Sequence, residues 1–145
     1  MEKVNVKVKV LNDDVVLPKY ETNGSAGMDI RIIEDVNINP GETVLTQTGM
    51  AFAIPEGFEF QIRPRSGLSL KTSLRLPNSP GTIDSDYRGE LGIMLNNIGT
   101  KALHFKKGER VCQMVLNKVP QANLILVNDL DETDRGSGGF GSTGK

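Results

Sequence analysis

The chain has 145 residues, enough for one domain with a genuine core and too few for two. With no tryptophan and only 5% aromatics, that core has to be built from Val, Ile and Leu with a few Phe. A net charge of −1 gives no overall attraction to nucleic acid or to an anionic membrane, so any anion site must be local.

A single cysteine, Cys112, excludes an internal disulfide, and a single histidine, His104, leaves neither zinc-ligand spacing nor a Cys–His protease pair. Buried structural roles are expected for both. The opening MEKVNVKVKV interrupts its valines with charge, unlike a signal peptide or a membrane span. The reading is a soluble protein of the cytoplasm or another intracellular compartment, in which the Asn23-Gly24-Ser25 sequon carries no weight.

Val4, Val6, Val8 and Val10 alternate with polar residues, the period-two pattern of a strand with one wet face. A polar bend over 21–27 leads into the apolar segment 28–33, where Asp29 is either a turn-capping carboxylate or a functional one. Asn39-Pro40-Gly41 and Pro55-Glu56-Gly57 are turns. Between and after them, Val44, Thr46 and Thr48, then Phe58, Phe60 and Ile62, mark further alternating strands. No window shows sustained helical spacing, so the domain is almost entirely β.

The strand that contains Phe60 ends in Arg63-Pro64-Arg65-Ser66-Gly67. A guanidinium fork, a hydroxyl and a backbone free to aim its N–H groups are what an anion site needs, although a solvated loop has the same composition. Residues 67–74 have room for a single helical turn, and the Pro-rich 76–80 cannot be a central strand. Residues 80–97 read as a hairpin with its polar residues, Asp84, Ser85 and Asp86, at the bend.

A strand over 101–105 and a turn at 106–108 follow. In 109–119 both faces are apolar, which predicts a central strand, and Gln113 projects among apolar neighbours. A buried amide without partners costs about 1–3 kcal/mol, so Gln113 is bonded in the core or held for a ligand. Residues 123–128 read as a final strand. Beyond them DLDETD and the glycine-rich end cannot bury a core, the composition of a disordered tail. Its GxGxxG and P-loop-like matches have no helix to open. Arg135, Phe140, Ser142 and Thr143 nevertheless suit a phosphate and a flat ring.

Five segments, SAGMDI (25–30), PRSGL (64–68), PGTIDSDYRGE (80–90), GERVCQ (108–113) and RGSGGFGSTG (135–144), resemble in order and spacing the five motifs of the trimeric dUTPase family. The resemblance spans essentially the whole chain. It implies an all-β, jelly-roll-like barrel or sandwich over 1–128, followed over 129–145 by an acidic linker and a flexible Gly-rich C-terminal arm that closes over the nucleotide. The implied reaction is Mg²⁺-assisted hydrolysis of dUTP to dUMP and pyrophosphate by water attack at the α-phosphorus. Such an enzyme limits uracil incorporation into DNA and supplies dUMP for thymidylate synthesis.

By position, the resemblance makes Asp84 the residue that activates the water and meets the 3′-hydroxyl, and lays Tyr87 against the sugar. Asn78 and the backbone of Gly81, Thr82 and Ile83 fall at the uracil edge, where fixed donors and acceptors reject cytosine. Arg65, Ser66, Gly67 and Gln113 fall at the phosphates. Asp29 belongs to the water network around the metal, which has no direct protein ligand. Arg135 acts on the phosphates, Phe140 stacks over uracil, and Gly141, Ser142 and Thr143 close on the triphosphate. The family's homotrimer shares each site among subunits, with no nucleic acid or membrane partner. Met28 and Glu109 depart from the aromatic and the Asp common in the family. Alternatives are a dCTP deaminase of the same fold, a dUTP-gated binding module, and a capsid-type β-trimer.

Overall fold

The computed structural model describes residues 1–144; Lys145, the last residue of the arm, lies outside the described residues. The strands are β1 (Lys7–Val10), β2 (Gly27–Arg31), β3 (Val36–Ile38), β4 (Thr43–Ala53), β5 (Phe58–Arg63), β6 (Leu74–Arg75), β7 (Gly81–Ile83), β8 (Glu90–Asn97), β9 (Leu103–Phe105) and β10 (Arg110–Lys118). One short helix, α1 (Ser66–Lys71), fills the place where a single helical turn was expected. All strand pairs are antiparallel, arranged as a four-stranded sheet β1-β4-β8-β6, a second four-stranded sheet β2-β10-β5-β7, and the pair β3-β9. This is the almost entirely β architecture expected from the periodicity, in the jelly-roll-like form that the resemblance implies. No helix among the described residues is long and apolar enough to cross a membrane.

Alternation along each strand decides which side chains meet between the sheets. Leu91, Ile93 and Leu95 of β8 and Met50 and Phe52 of β4 face Ile30, Phe60, Ile62 and Met114 of the second sheet, all buried. Phe52 and Phe60 join the layers edge to face, ring centres 5.3 Å apart. Deleting any one of these aliphatic side chains to Ala removes about 2–5 kcal/mol. Asn97 is also fully buried, yet its amide donates to the carbonyls of Ile38 and Lys101, and its oxygen accepts from Ser73 Oγ and the Gly99 N–H.

Strand β10 lies between β2 and β5, as its two apolar faces required. Four other readings need correction. The 80–97 segment is not a hairpin: β7 pairs with β5 in one sheet, while β8 pairs with β4 and β6 in the other. Residues 84–89 therefore cross between sheets. The valine alternation forms a strand only over Lys7–Val10, an edge strand where Val8 and Val10 remain exposed. Residues 123–128 form no strand; Leu124 and Leu126 are almost fully exposed, since alternation without a neighbouring edge leaves the backbone unpaired. His104 is exposed rather than buried, its Nδ1 2.5 Å from Asn37 Oδ1 across the β3-β9 pair.

Candidate active site

The outward face of the second sheet is polar, and it gathers three of the expected segments. Asp29 of β2 stands opposite Gln113 of β10, which stands opposite Arg63 of β5. The Asp29 carboxylate is bracketed by two guanidiniums: Arg65 Nε lies 3.1 Å from Oδ1, and Arg110 Nη1 lies 3.1 Å from Oδ2. Arg65 also donates from Nη1 to the backbone carbonyl of Arg110 at 3.1 Å. Arg65 is thus held at both ends of its fork. One carboxylate between two guanidiniums leaves the cluster with a net positive charge, which favours an anion.

The amide of Gln113 donates to the Pro64 carbonyl at 2.9 Å, fixing the loop that leads to Ser66 and Gly67. Gly27 makes this possible. A Cβ there would sit 2.6 Å from Gln113 Oε1, too close for the amide to stay, and 3.2 Å from a Val115 methyl, a tight contact. Gln113, Ser66 and Ser69 line a hollow of about 560 Å³ together with Gln61, Arg63 and Ser79. Of the two readings left open for Gln113, it has a protein partner and it also faces a cavity.

Beneath this cluster, burial pushes the Cys112 thiol up to about 12, with the Asp29 charge adding to the rise and Arg65 opposing it. The thiol stays protonated at neutral pH and offers no thiolate chemistry.

The turn after β7 is built separately. The Tyr87 N–H donates to the Asp84 carbonyl at 3.2 Å, and the Tyr87 hydroxyl folds back to the Glu90 carbonyl at 2.9 Å. A Cβ on Gly89 would meet that hydroxyl at 2.4 Å, so only glycine admits the fold-back. Arg88 fastens the same turn, donating to the carbonyls of Ser85 and Tyr87 at 2.6 and 3.2 Å. Asp84 itself is exposed, and among the described residues its carboxylate forms neither hydrogen bond nor ion pair. It lines a second hollow of about 520 Å³ with Glu56, Glu59, Ser85, Asp86 and Gln121. Thr82 and Asn78 are exposed, Ile83 is half-buried and Gly81 is buried. Asp84 and the phosphate-side residues therefore line different hollows of one chain.

The arm forms a third group. It is a run of tight turns, with Gly138 N bonded to the Arg135 carbonyl, Ser142 N to Gly139 and Gly144 N to Gly141. Arg135 Nε donates to Gly138 O at 2.8 Å. Phe140 has φ 54° and is fully exposed, and Gly141, Ser142 and Thr143 are exposed beside it. Among the described residues the hydrogen bonds of this arm are all local, so one chain does not bring it to either hollow.

Arg110, Gly27, Gly89 and Arg88 carry weight that the sequence reading did not assign. All four lie inside quoted motifs, which was the available signal; the pairing of Arg110 with Asp29, 81 positions away, left none.

Residues 13–144 match the family model described as dUTPase. The chain belongs to the dUTPase family. Deoxyuridine 5′-triphosphate nucleotidohydrolases of Nautilia profundicola and Fusobacterium nucleatum are 51% and 50% identical to it, covering 98% and 100% of this chain and the whole of each relative. Among solved structures, a dUTPase of Staphylococcus bacteriophage 80alpha with dUpNHpp superposes with a TM-score of 0.92. It is 29% identical and covers 99% of this chain and 100% of its own. The dUTPase fold is thus carried over the same length as the five motifs.

Proposed function

We propose that the chain hydrolyses dUTP to dUMP and pyrophosphate by attack of water at the α-phosphorus. The observation that carries this reading is the Asp29–Arg65–Arg110 cluster beside Ser66 and Gln113, an organised cationic site for phosphates in a dUTPase-family chain whose separate turn presents an uncommitted carboxylate, Asp84. Phosphoryl chemistry needs charge neutralisation and positioning more than an exotic nucleophile. Asp84 accepts the proton of the attacking water, and Tyr87, tied to Glu90, gives the sugar a fixed wall. The backbone of Gly81, Thr82 and Ile83, with Asn78, reads uracil. Arg65, Ser66, Gly67 and Gln113 hold the phosphates.

Asp84 and the phosphate residues become one site when a second copy brings its own hollow to the first. A homotrimer with shared sites supplies that copy, and the exposed Leu124, Ile125 and Leu126 give an unpaired apolar stretch for it to cover. Residues 129–145 then reach a neighbour's site, with Arg135 on the phosphates, Phe140 over uracil, and Gly141, Ser142 and Thr143 around the triphosphate. The β domain over 1–128 remains the scaffold.

Among the described residues no group of three or more His, Cys, Asp and Glu is placed to hold a metal ion, and Asp29 is committed to two arginines. These residues fit Mg²⁺ carried on the triphosphate with Asp29 reaching only its waters. When bound, the ion screens the phosphate charges. In an intracellular setting the reaction would keep uracil out of DNA and furnish dUMP for thymidylate.

The test is pyrophosphate release from dUTP, dCTP, dTTP and UTP, with Mg²⁺ and with chelator, alongside ammonia release from dCTP. Release from dUTP alone is the expected result. Ammonia from dCTP, or tight dUTP binding without turnover, would overturn the reading.

A further inference from the structure

Among the described residues the only cation lining the larger hollow is Arg63, to which the reading above gives no role. Alternation along β5 turns Glu59, Gln61 and Arg63 to one face, and the register sets Arg63 beside Gln113. On that face Arg63 donates from Nε and Nη2 to Gln61 Oε1 at 3.1 and 2.7 Å, and Gln61 Nε2 donates to Glu59 Oε1 at 2.7 Å.

The guanidinium is therefore half-buried and clamped against a neutral amide oxygen. Among the described residues it forms no ion pair, in contrast to Arg65 and Arg110, which share Asp29. Among the described residues its Nη1 donors have no acceptor. Removing a charge from water without a counter-charge is unfavourable unless an anion completes the site. The hollow offers that anion the hydroxyls of Ser66 and Ser69 and the Gln113 amide, and no carboxylate among the described residues lines it to repel it.

We propose that Arg63 is a further phosphate-binding residue, gripping the part of the triphosphate that leaves as pyrophosphate. The inference rests on the dUTPase reading. The leaving end is assigned because Asp84, which acts at the α-phosphorus, lines the other hollow, whereas Arg63 shares its cavity with Ser66 and Gln113. Gln61 keeps the fork planar and aimed before the anion arrives, reducing the ordering cost of binding.

The experiment compares inhibition by inorganic pyrophosphate and by dUMP in the full-length wild type, Arg63→Gln and Arg63→Lys. Loss of a charge-assisted fork weakens pyrophosphate inhibition by about tenfold or more in Arg63→Gln, and by less in Arg63→Lys, which keeps the charge but not the fork. dUMP, which lacks the leaving phosphates, inhibits all three equally. Wild-type pyrophosphate inhibition in Arg63→Gln would overturn the proposal, as would an equal loss for both ligands, which would mark a purely structural role. Should Arg63→Gln fail to fold, Arg63→Lys carries the same comparison. If the wild type released no pyrophosphate from dUTP, the dUTPase reading would fall, while calorimetric titration of pyrophosphate into wild type and Arg63→Gln would still decide whether Arg63 binds it.

Discussion

Arg65 and Arg135 are both assigned to the phosphates, yet they are held in opposite ways. Arg65 is fixed through Asp29 and the Arg110 carbonyl on a sheet whose other face is packed core. Among the described residues Arg135 bonds only to Gly138, three residues away, in an arm whose aromatic, Phe140, is bare to solvent. The same contrast separates Phe60 from Phe140: one ring is locked edge to face with Phe52, the other is fully exposed. On the sheet the ordering was completed by folding. In the arm, on the function proposed above, it is done on binding, at about 1–2 kcal/mol per residue fixed. On that proposal the pre-organised half gives affinity and the arm gives closure, so damage to each should register in a different quantity.

The largest expected effect is Asp84→Asn, which keeps the shape of the turn and removes the base. General-base loss predicts a fall in kcat of about 10²–10⁴-fold with nucleotide binding retained, measured by single-turnover hydrolysis beside a binding titration. Near-normal turnover would remove Asp84 from the mechanism. Deleting residues 135–145 comes next. Removing a cationic contact and the closing segment should cost roughly 10²-fold in kcat, while the melting temperature stays that of the intact protein. A drop in melting temperature of the truncated protein would show that the arm is part of the scaffold, and the contrast drawn above would collapse.

The sheet side of this contrast was legible because its signals are local. Phe58, Phe60 and Ile62 alternate, β10 is apolar on both faces, and 66–71 sits between a strand end and a Pro-rich stretch. What was not legible depends on partners. Gly81–Ile83 and Glu90–Asn97 each look like half of a hairpin, and nothing in either says that their hydrogen bonds go to different sheets. Residues 123–128 alternate as a strand does, but alternation states only that a strand would be amphipathic, not that an edge awaits it. The site residues were named through the family motifs, yet the ring joining Asp29, Arg65 and Arg110 was not. Arg65 and Arg110 stand 65 − 29 = 36 and 81 positions from Asp29 along the chain; the β2–β10 pairing brings Arg110 to it, and Arg65 reaches it from the end of the loop after β5.

A smaller effect sharpens the pre-organised half. Gly27→Ala places a methyl where Gln113 Oε1 now lies, so the amide must swing and release Pro64. Losing that bond is worth about 1 kcal/mol, or roughly fivefold weaker pyrophosphate inhibition. The arm, built on other residues, should be indifferent: truncated and full-length forms should show the same ratio. A Gly27→Ala protein with unaltered inhibition would mean that Gln113 is not held by this contact.

The smallest effect at neutral pH is carried by Cys112, and it reports on the sheet alone. Its thiol is raised from an ordinary 9.0 to about 12, chiefly by burial, so the folded protein keeps this proton where the unfolded chain releases it. The folded state then binds more protons than the unfolded one, and stability falls as pH rises. Below pH 9 the contribution is fully present, and it is lost progressively between 9 and about 12. Between pH 8 and 10 the loss attributable to this thiol is about 1 kcal/mol. Other groups titrate in the same range, so the quantity to measure is the difference between wild type and Cys112→Ala in denaturant midpoints across pH. That difference should narrow as the pH climbs, because the Ala variant has no thiol to ionise when it unfolds. A difference that stays flat to pH 11 would place Cys112 in contact with water, and the cluster of Asp29 and Arg65 above it would lose the dry floor on which their mutual attraction depends.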